Sequence, residues 1–103
     1  MSFSVVWTQQ GAIKRFCGHL SSDEFLAAHH QITESDRLDS TIRYVISDFT
    51  AVLSESVDDD ALEKYGFERC GVARYLPNVR GALIANTATT LGLCERIMSP
   101  KYR

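Results

Sequence analysis

Polar and apolar residues alternate over residues 3–8 (FSVVWT), placing Phe3, Val5 and Trp7 on one side, which predicts a strand. Gln9-Gln10-Gly11 reads as a turn, and residues 12–17 (AIKRFC) predict a second strand that closes a hairpin with the first. Lys14 and Arg15 interrupt its apolar character, which predicts a wet side or a place near a sheet edge. Ser21-Ser22-Asp23-Glu24 has the pattern of a capping box. In it the Ser21 hydroxyl accepts from the Glu24 amide, the Glu24 carboxylate reaches back, and Leu20 and Phe25 occupy the staple positions. Phe25, Ala28, His29 and Ile32 then share one face of a helix expected to run from Ser22 to Ser35.

Residues 42–47 (IRYVIS) form a nearly continuous apolar run rich in β-branched types, which predicts a central strand ending at Asp48-Phe49-Thr50. The stretch SESVDDD follows. A helix is expected to begin at Ser56 or Val57, with Asp58, Asp59 and Asp60 in its first turn, where the helix dipole favours negative charge. Leu62, Tyr65, Val72, Ala73 and Leu76 continue at helical spacing, while Gly66 and Gly71 each cost ~1 kcal/mol against alanine and mark a place where the helix could break. Pro77-Asn78 stops it. Residues 80–85 (RGALIA) predict a short strand, and Asn86 or Thr87 caps a last helix reaching Met98, with Ala88, Leu91, Cys94 and Met98 on one side. The order β-β-α-β-α-β-α is that of an α/β domain with right-handed crossovers and a mostly parallel sheet.

With 103 residues there is room for a single domain, residues 1–103. A hydrophobic share of 45% against 23% charged excludes a disordered chain. The net charge of −2 provides no basic footprint, so nucleic acid is not an expected partner. Cys17, Cys70 and Cys94 lie far apart without a Cys-x-x-Cys, and an odd count is unlike a secreted disulfide framework. The start MSFSVVWTQQ lacks the basic and apolar regions of a signal peptide, and no segment approaches the ~20 apolar residues that span a bilayer. A cytoplasmic protein without an integral membrane segment is the expectation.

From Gly11 to Ala85 the chain resembles the SpoIIAA-like family, relatives of STAS and SEC14 domains. The resemblance lies in Gly18-His19-Leu20-Ser21 ahead of a capped helix and in Arg43-Tyr44-Val45-Ile46-Ser47-Asp48-Phe49-Thr50. It continues in the helix closing at Pro77-Asn78 and the strand Gly81-Ala82-Leu83-Ile84-Ala85. It implies a single-layer mixed sheet with helices mainly on one face, and a regulatory or small-ligand-binding role. Two departures stand out. Anti-sigma-antagonist STAS domains carry an Asp-Ser-Ser/Thr-Gly-like phosphorylation motif after the strand equivalent to 42–49, where this chain reads Leu53-Ser54-Glu55-Ser56-Val57-Asp58-Asp59. The family also usually adds another strand and helix beyond the point where this sequence reads Pro100-Lys101-Tyr102-Arg103. A missing strand and helix would leave an edge that a second copy could cover.

Ligands of open α/β sheets sit beyond the carboxyl ends of parallel strands. Those ends supply Asp48, Thr50, Ser54 and Ser56 from one strand and Asn86 and Thr87 from the next, beside helix N-termini able to receive an anion. The competing reading makes Asp48 a turn cap and the hydroxyls helix caps. Ser54 and Ser56 have the position of a phosphoswitch, but Glu55 and Asp58 would repel a phosphate. Asp58, Asp59, Asp60 and Glu63 lack the ligand spacing and central glycine of a calcium loop, and His19, His29 and His30 lack the i, i+4 spacing of a zinc pair, so no metal is expected. Cys17 and His19 could share one side of an extended segment as a nucleophile and base, although a free cysteine is more often a small buried hydrophobe.

These features favour a non-enzymatic STAS-like regulatory module, without a cofactor, that binds a protein partner or a small lipophilic or anionic ligand at the carboxyl edge of the sheet. The alternatives are a homodimeric structural or assembly protein and a small enzyme using the same pocket.

Overall fold

Four strands and three helices form in the order β1 (Phe3–Trp7), β2 (Gly11–Ser21), α1 (Ser22–Thr33), β3 (Tyr44–Ser56), α2 (Asp59–Tyr75), β4 (Arg80–Ile84) and α3 (Ala88–Ile97). They are seen in a computed structural model that describes residues 3–99; the tail Pro100-Lys101-Tyr102-Arg103 lies outside the described residues. The mixed sheet has the order β1-β2-β3-β4. β1 and β2 pair antiparallel, whereas β3 lies parallel to both β2 and β4.

The β1–β2 turn is tight because Thr8 N–H donates to the Gly11 carbonyl at 2.8 Å. Gly11 is required for packing: the Tyr44 ring lies against it where a Cβ would stand, and the Tyr44 hydroxyl is 2.6 Å from Thr8 Oγ1. Further along β2, Gly18 has φ +70°, a left-handed conformation that glycine adopts without the Cβ penalty. The β2–β3 register shifts there and again between Arg15 and Cys17. These bulges bend the two longest strands together, and β3 runs on to Ser56 opposite Ser21.

Ser21 caps α1 by accepting from Glu24 N at 3.2 Å, but the return half of the expected capping box is absent, and Glu24 Oε2 is buried without a hydrogen-bond partner. The helix ends at Thr33, two residues earlier than expected. α2 begins at Asp59 rather than at Ser56 or Val57, because Asp58 is the N-cap and its carboxylate accepts from Ala61 N at 2.8 Å. It continues through Gly66 and Gly71 without a break. A complete capping box between Thr87 and Thr90 opens α3.

One hydrophobic cluster takes residues from all three helices and from the sheet, which places the helices over a shared face. Phe16, Leu20, Phe49 and Val52 meet Phe25 and Ala28 of α1, Leu62 and Tyr65 of α2, and Leu93 and Ile97 of α3. Full burial of each large side chain contributes about 1.5–3 kcal/mol. Two expectations change here. β2 is an interior strand, and Lys14 faces the helices at 2% exposure, so of the two basic residues Arg15 alone is on the wet side, with Cys17 and His19 further along it. β3 runs on to Ser56 instead of ending at Asp48-Phe49-Thr50, because the end of β2 pairs with residues 54–56. Among the described residues no helix is long and apolar enough to cross a membrane.

Candidate functional site

The inward positions of the sheet change character over a single row of side chains. Phe16 and Phe49 stack with ring centroids 5.1 Å apart and close the packing at that level. Two residues earlier on each strand, Lys14 stands beside Ser47 in register, and the helices and sheet separate into a cleft of about 720 Å³. Lys14, Val45, Ser47 and Leu83 contribute from the sheet. The helices add Ile32 from α1, Val72 from α2 and Leu91 from α3, with Met98 at the C-cap of α3. Lys14 lies in the first half of β2 and Val45 and Ser47 in the amino-terminal part of β3, while Leu83 pairs with Ser47 from the short β4, so the cleft is displaced from the carboxyl ends of β2 and β3. Its volume falls within the ~300–1,000 Å³ of small-molecule sites, and its predominantly aliphatic lining is of their kind.

Lys14 is the unusual member. It is almost wholly buried, yet no carboxylate and no hydrogen-bond acceptor meets its ammonium among the described residues; its Nζ lies 5.2 Å from the centre of the Tyr65 ring. The Arg69 guanidinium stands 5.3 Å from the same ring. Burial holds the Lys14 amine below its ordinary value of 10.5; Tyr65 opposes that shift, and the positive charge of Arg69 adds to it.

His29 enters the cleft from α1 with 7% exposure, and its Nε2 is buried without a hydrogen bond. Glu68 Oε2 is 3.3 Å away and favours an imidazolium, but that carboxylate is gripped by His30 Nε2 at 2.9 and 3.0 Å. Desolvation prevails, reinforced by Lys14, His30 and Arg69, and lowers the His29 pKa to about 3. The ring is therefore neutral at neutral pH. Burial also pushes the Cys94 thiol up, which leaves it a poor nucleophile in the cleft wall.

The six residues expected at the carboxyl edge fall into three groups, and none lines the cleft. Asp48, Thr50 and Asn86 meet where β4 has ended: Asp48 Oδ1 accepts from Thr50 N at 2.9 Å and from Thr50 Oγ1 at 2.7 Å, and Asn86 Nδ2 donates to the Thr50 carbonyl at 3.2 Å. These contacts serve backbone groups of β3 after its last pairing with β4, at Asp48 and Ile84. The Thr50 hydroxyl and amide, with Arg15 contributing, hold the Asp48 carboxyl below its usual range. Ser54 and Ser56 flank His19, with their hydroxyls 2.8 Å from Nδ1 and 2.9 Å from Nε2. Both ring nitrogens of His19 are thus engaged by serines, and Cys17 is exposed on the neighbouring strand position. Thr87 caps α3. Among the described residues no three His, Cys, Asp or Glu side chains gather as a metal site.

Lys14, His29, Tyr65 and Arg69 were not singled out together by sequence reasoning. The signal for Lys14 was the alternation Ala12-x-Lys14-x-Phe16, which puts the lysine on the inward face between two core residues.

No family model matches the chain, and no curated protein matches it at a significant level. Solved structures do. The unphosphorylated anti-sigma factor antagonist SpoIIAA superposes with a TM-score of 0.61 at 14% identity, covering 88% of this chain and 79% of that one. The phosphorylated form of the Bacillus cell fate determinant SpoIIAA gives 0.55 at 15% identity, covering 91% and 80%. The chain has the SpoIIAA-like fold.

Proposed function

We propose that this chain is a non-enzymatic, STAS-like regulatory module that holds a small apolar molecule in the cleft and presents the hydroxyl-rich carboxyl end of its sheet to a protein partner. One observation carries the reading. A helix-bearing sheet face that is sealed at Phe16 and Phe49 opens, one row away, into a cavity of about 720 Å³ walled by aliphatic side chains. Packing alone does not favour such a cleft, because the aliphatic side chains that line it keep apolar area facing water. The SpoIIAA structure is described as an anti-sigma factor antagonist, which supports a protein partner for a chain of this fold. Asp48, Thr50, Ser54, Ser56, Asn86 and Thr87 are assigned to that partner-facing end. Native mass spectrometry of the protein purified from its own host tests the reading. A mass excess that disappears on denaturation is expected. A clean polypeptide mass, together with no rise in melting temperature on adding 1-decanol, overturns it.

A second reading, a homodimer, rests on the edge of β3. β4 pairs only with Tyr44–Asp48, so the remainder of the thirteen-residue strand has β2 on one side and no strand on the other among the described residues. Leu53, in that stretch, is 82% exposed. A sedimentation-equilibrium mass that stays at one chain over a hundredfold concentration range removes this alternative.

A further inference from the structure

The cleft contains a buried basic side chain with no acidic partner among the described residues. Lys14 reaches into an apolar cavity from the middle of the sheet, 2% exposed and without a carboxylate or hydrogen-bond partner among the described residues. Arg69 shares the same aromatic ring and lines the same cavity. A buried charge is ordinarily paired or coordinated, since its desolvation is among the costliest features a fold can carry. Here the amine without a protein counter-charge and the apolar cleft coincide.

We propose that the cleft is a binding site for a small alkyl monocarboxylate, whose head group pairs with the Lys14 ammonium and whose chain lies against Ile32, Leu83, Val72 and Leu91. The inference rests on the cleft being a ligand site and adds the chemical class of the ligand. Charge complementarity selects an anion over a neutral molecule. The other ionisable groups facing the cavity do not reverse that choice. From α1, His29 is a neutral ring. From α2 come the Arg69 cation, the Tyr65 phenol and the Cys70 thiol, and Glu68 behind them is held by His30. From α3, Cys94 is protonated, and Glu95 is the one carboxylate in the lining, on an exposed position of the rim.

The bond formed is an ion pair with charge-assisted hydrogen bonds from Nζ to the carboxylate oxygens. A ligand carboxylate favours the protonated amine, so binding takes up a proton wherever Lys14 is neutral in the free protein. Decanoate affinity therefore falls as pH rises through the Lys14 pKa of the free protein, which burial sets below 10.5.

Isothermal titration of the full chain with sodium decanoate and with 1-decanol, each below its aggregation limit, tests the proposal in wild type and Lys14→Met. Decanoate is expected to bind wild type at least about tenfold more tightly than decanol, and Lys14→Met to abolish that preference while keeping decanol binding. In wild type, raising the pH should weaken decanoate and leave decanol unchanged. If decanol binds as well as decanoate, or Lys14→Met leaves decanoate affinity intact, the carboxylate assignment is overturned while the cleft stands as an apolar site. If neither probe binds wild type, the ligand-cleft reading itself fails. Retained decanol binding by Lys14→Met also shows that the variant is folded.

Discussion

The two ends of the helix-bearing face are built from the same strands and the same three helices, yet they follow opposite rules. At one end Phe16, Phe49, Phe25 and Leu62 are 0–1% exposed and leave no room for solvent. At the other, Lys14 and Ser47 replace aromatic rings at the equivalent inward positions, and the packing parts. The first arrangement gains from every contact. The second bears an unpaired ammonium whose desolvation opposes folding, so its presence is explained by what it binds rather than by what it stabilises.

Shaving the sealed end should have the largest effect. Phe49→Ala removes a ring that is 0% exposed and stacked on Phe16, and is expected to cost about 3–5 kcal/mol, read as a fall in the urea midpoint without a change of slope. The cleft end should respond with the opposite sign. Lys14→Met retains the volume and removes the buried charge, so it should raise stability by about 1–4 kcal/mol. The pH dependence sharpens this contrast. Because the Lys14 pKa is lower in the folded protein than its unfolded value of 10.5, the unfolded chain holds more protons between those two values, and wild-type stability rises with pH across that window. Lys14→Met should flatten the rise. A variant that instead lost several kcal/mol would make the two ends alike and remove the case for a site.

The sealed end was largely legible in the sequence, and the cleft was not. Phe25 and Ala28 announced the inner face of α1 by helical spacing, and Ser21 marked its start. The extent of β3 escaped because Ser54-Glu55-Ser56 reads as a polar loop; only its long-range pairing with His19, Leu20 and Ser21 makes it a strand. Lys14 escaped for a related reason. A lysine in a strand ordinarily signals an edge or a wet face, and its inward direction follows from period 2 only once Phe16 is known to be core. A cavity is not a property of any local pattern. It arises from the distance between Lys14, Leu83 and Met98, which are remote in the chain.

His29 offers a gentler test of the cleft. Its ring is neutral when folded, with a pKa lowered from 6.5 to about 3 chiefly by burial. The stability this provides is fully present above pH 6.5 and is lost as pH falls towards 3, by up to about 1.4 kcal/mol per pH unit. Exchanging it for an apolar ring, His29→Phe, should therefore raise the acid limb of the stability curve relative to wild type while changing little at pH 8. Urea midpoints at pH 8, 6 and 4 measure the difference. Parallel curves for the two proteins would mean that His29 charges without penalty, and that this wall of the cleft is wetter than its burial implies.

The smallest effect is expected away from both ends, at the exposed cluster of His19, Ser54 and Ser56. The two hydrogen bonds, 2.8 and 2.9 Å, tie β2 to β3 across a surface where water can replace the imidazole. His19→Ala should then change stability by no more than about 0.5 kcal/mol, as substitutions at exposed sites without packing usually do. The bond pattern permits a different outcome. Among the described residues β3 has no strand on its other side at this level, so the His19 bridge could be holding the long β2–β3 ribbon in register beyond Gly18. A loss above 1 kcal/mol, with faster amide exchange in residues 51–56, would identify that clasp. The hydroxyl cluster would then be part of the frame rather than a surface free to receive a partner, and the cleft would be left as the region of this face whose chemistry exceeds what folding requires.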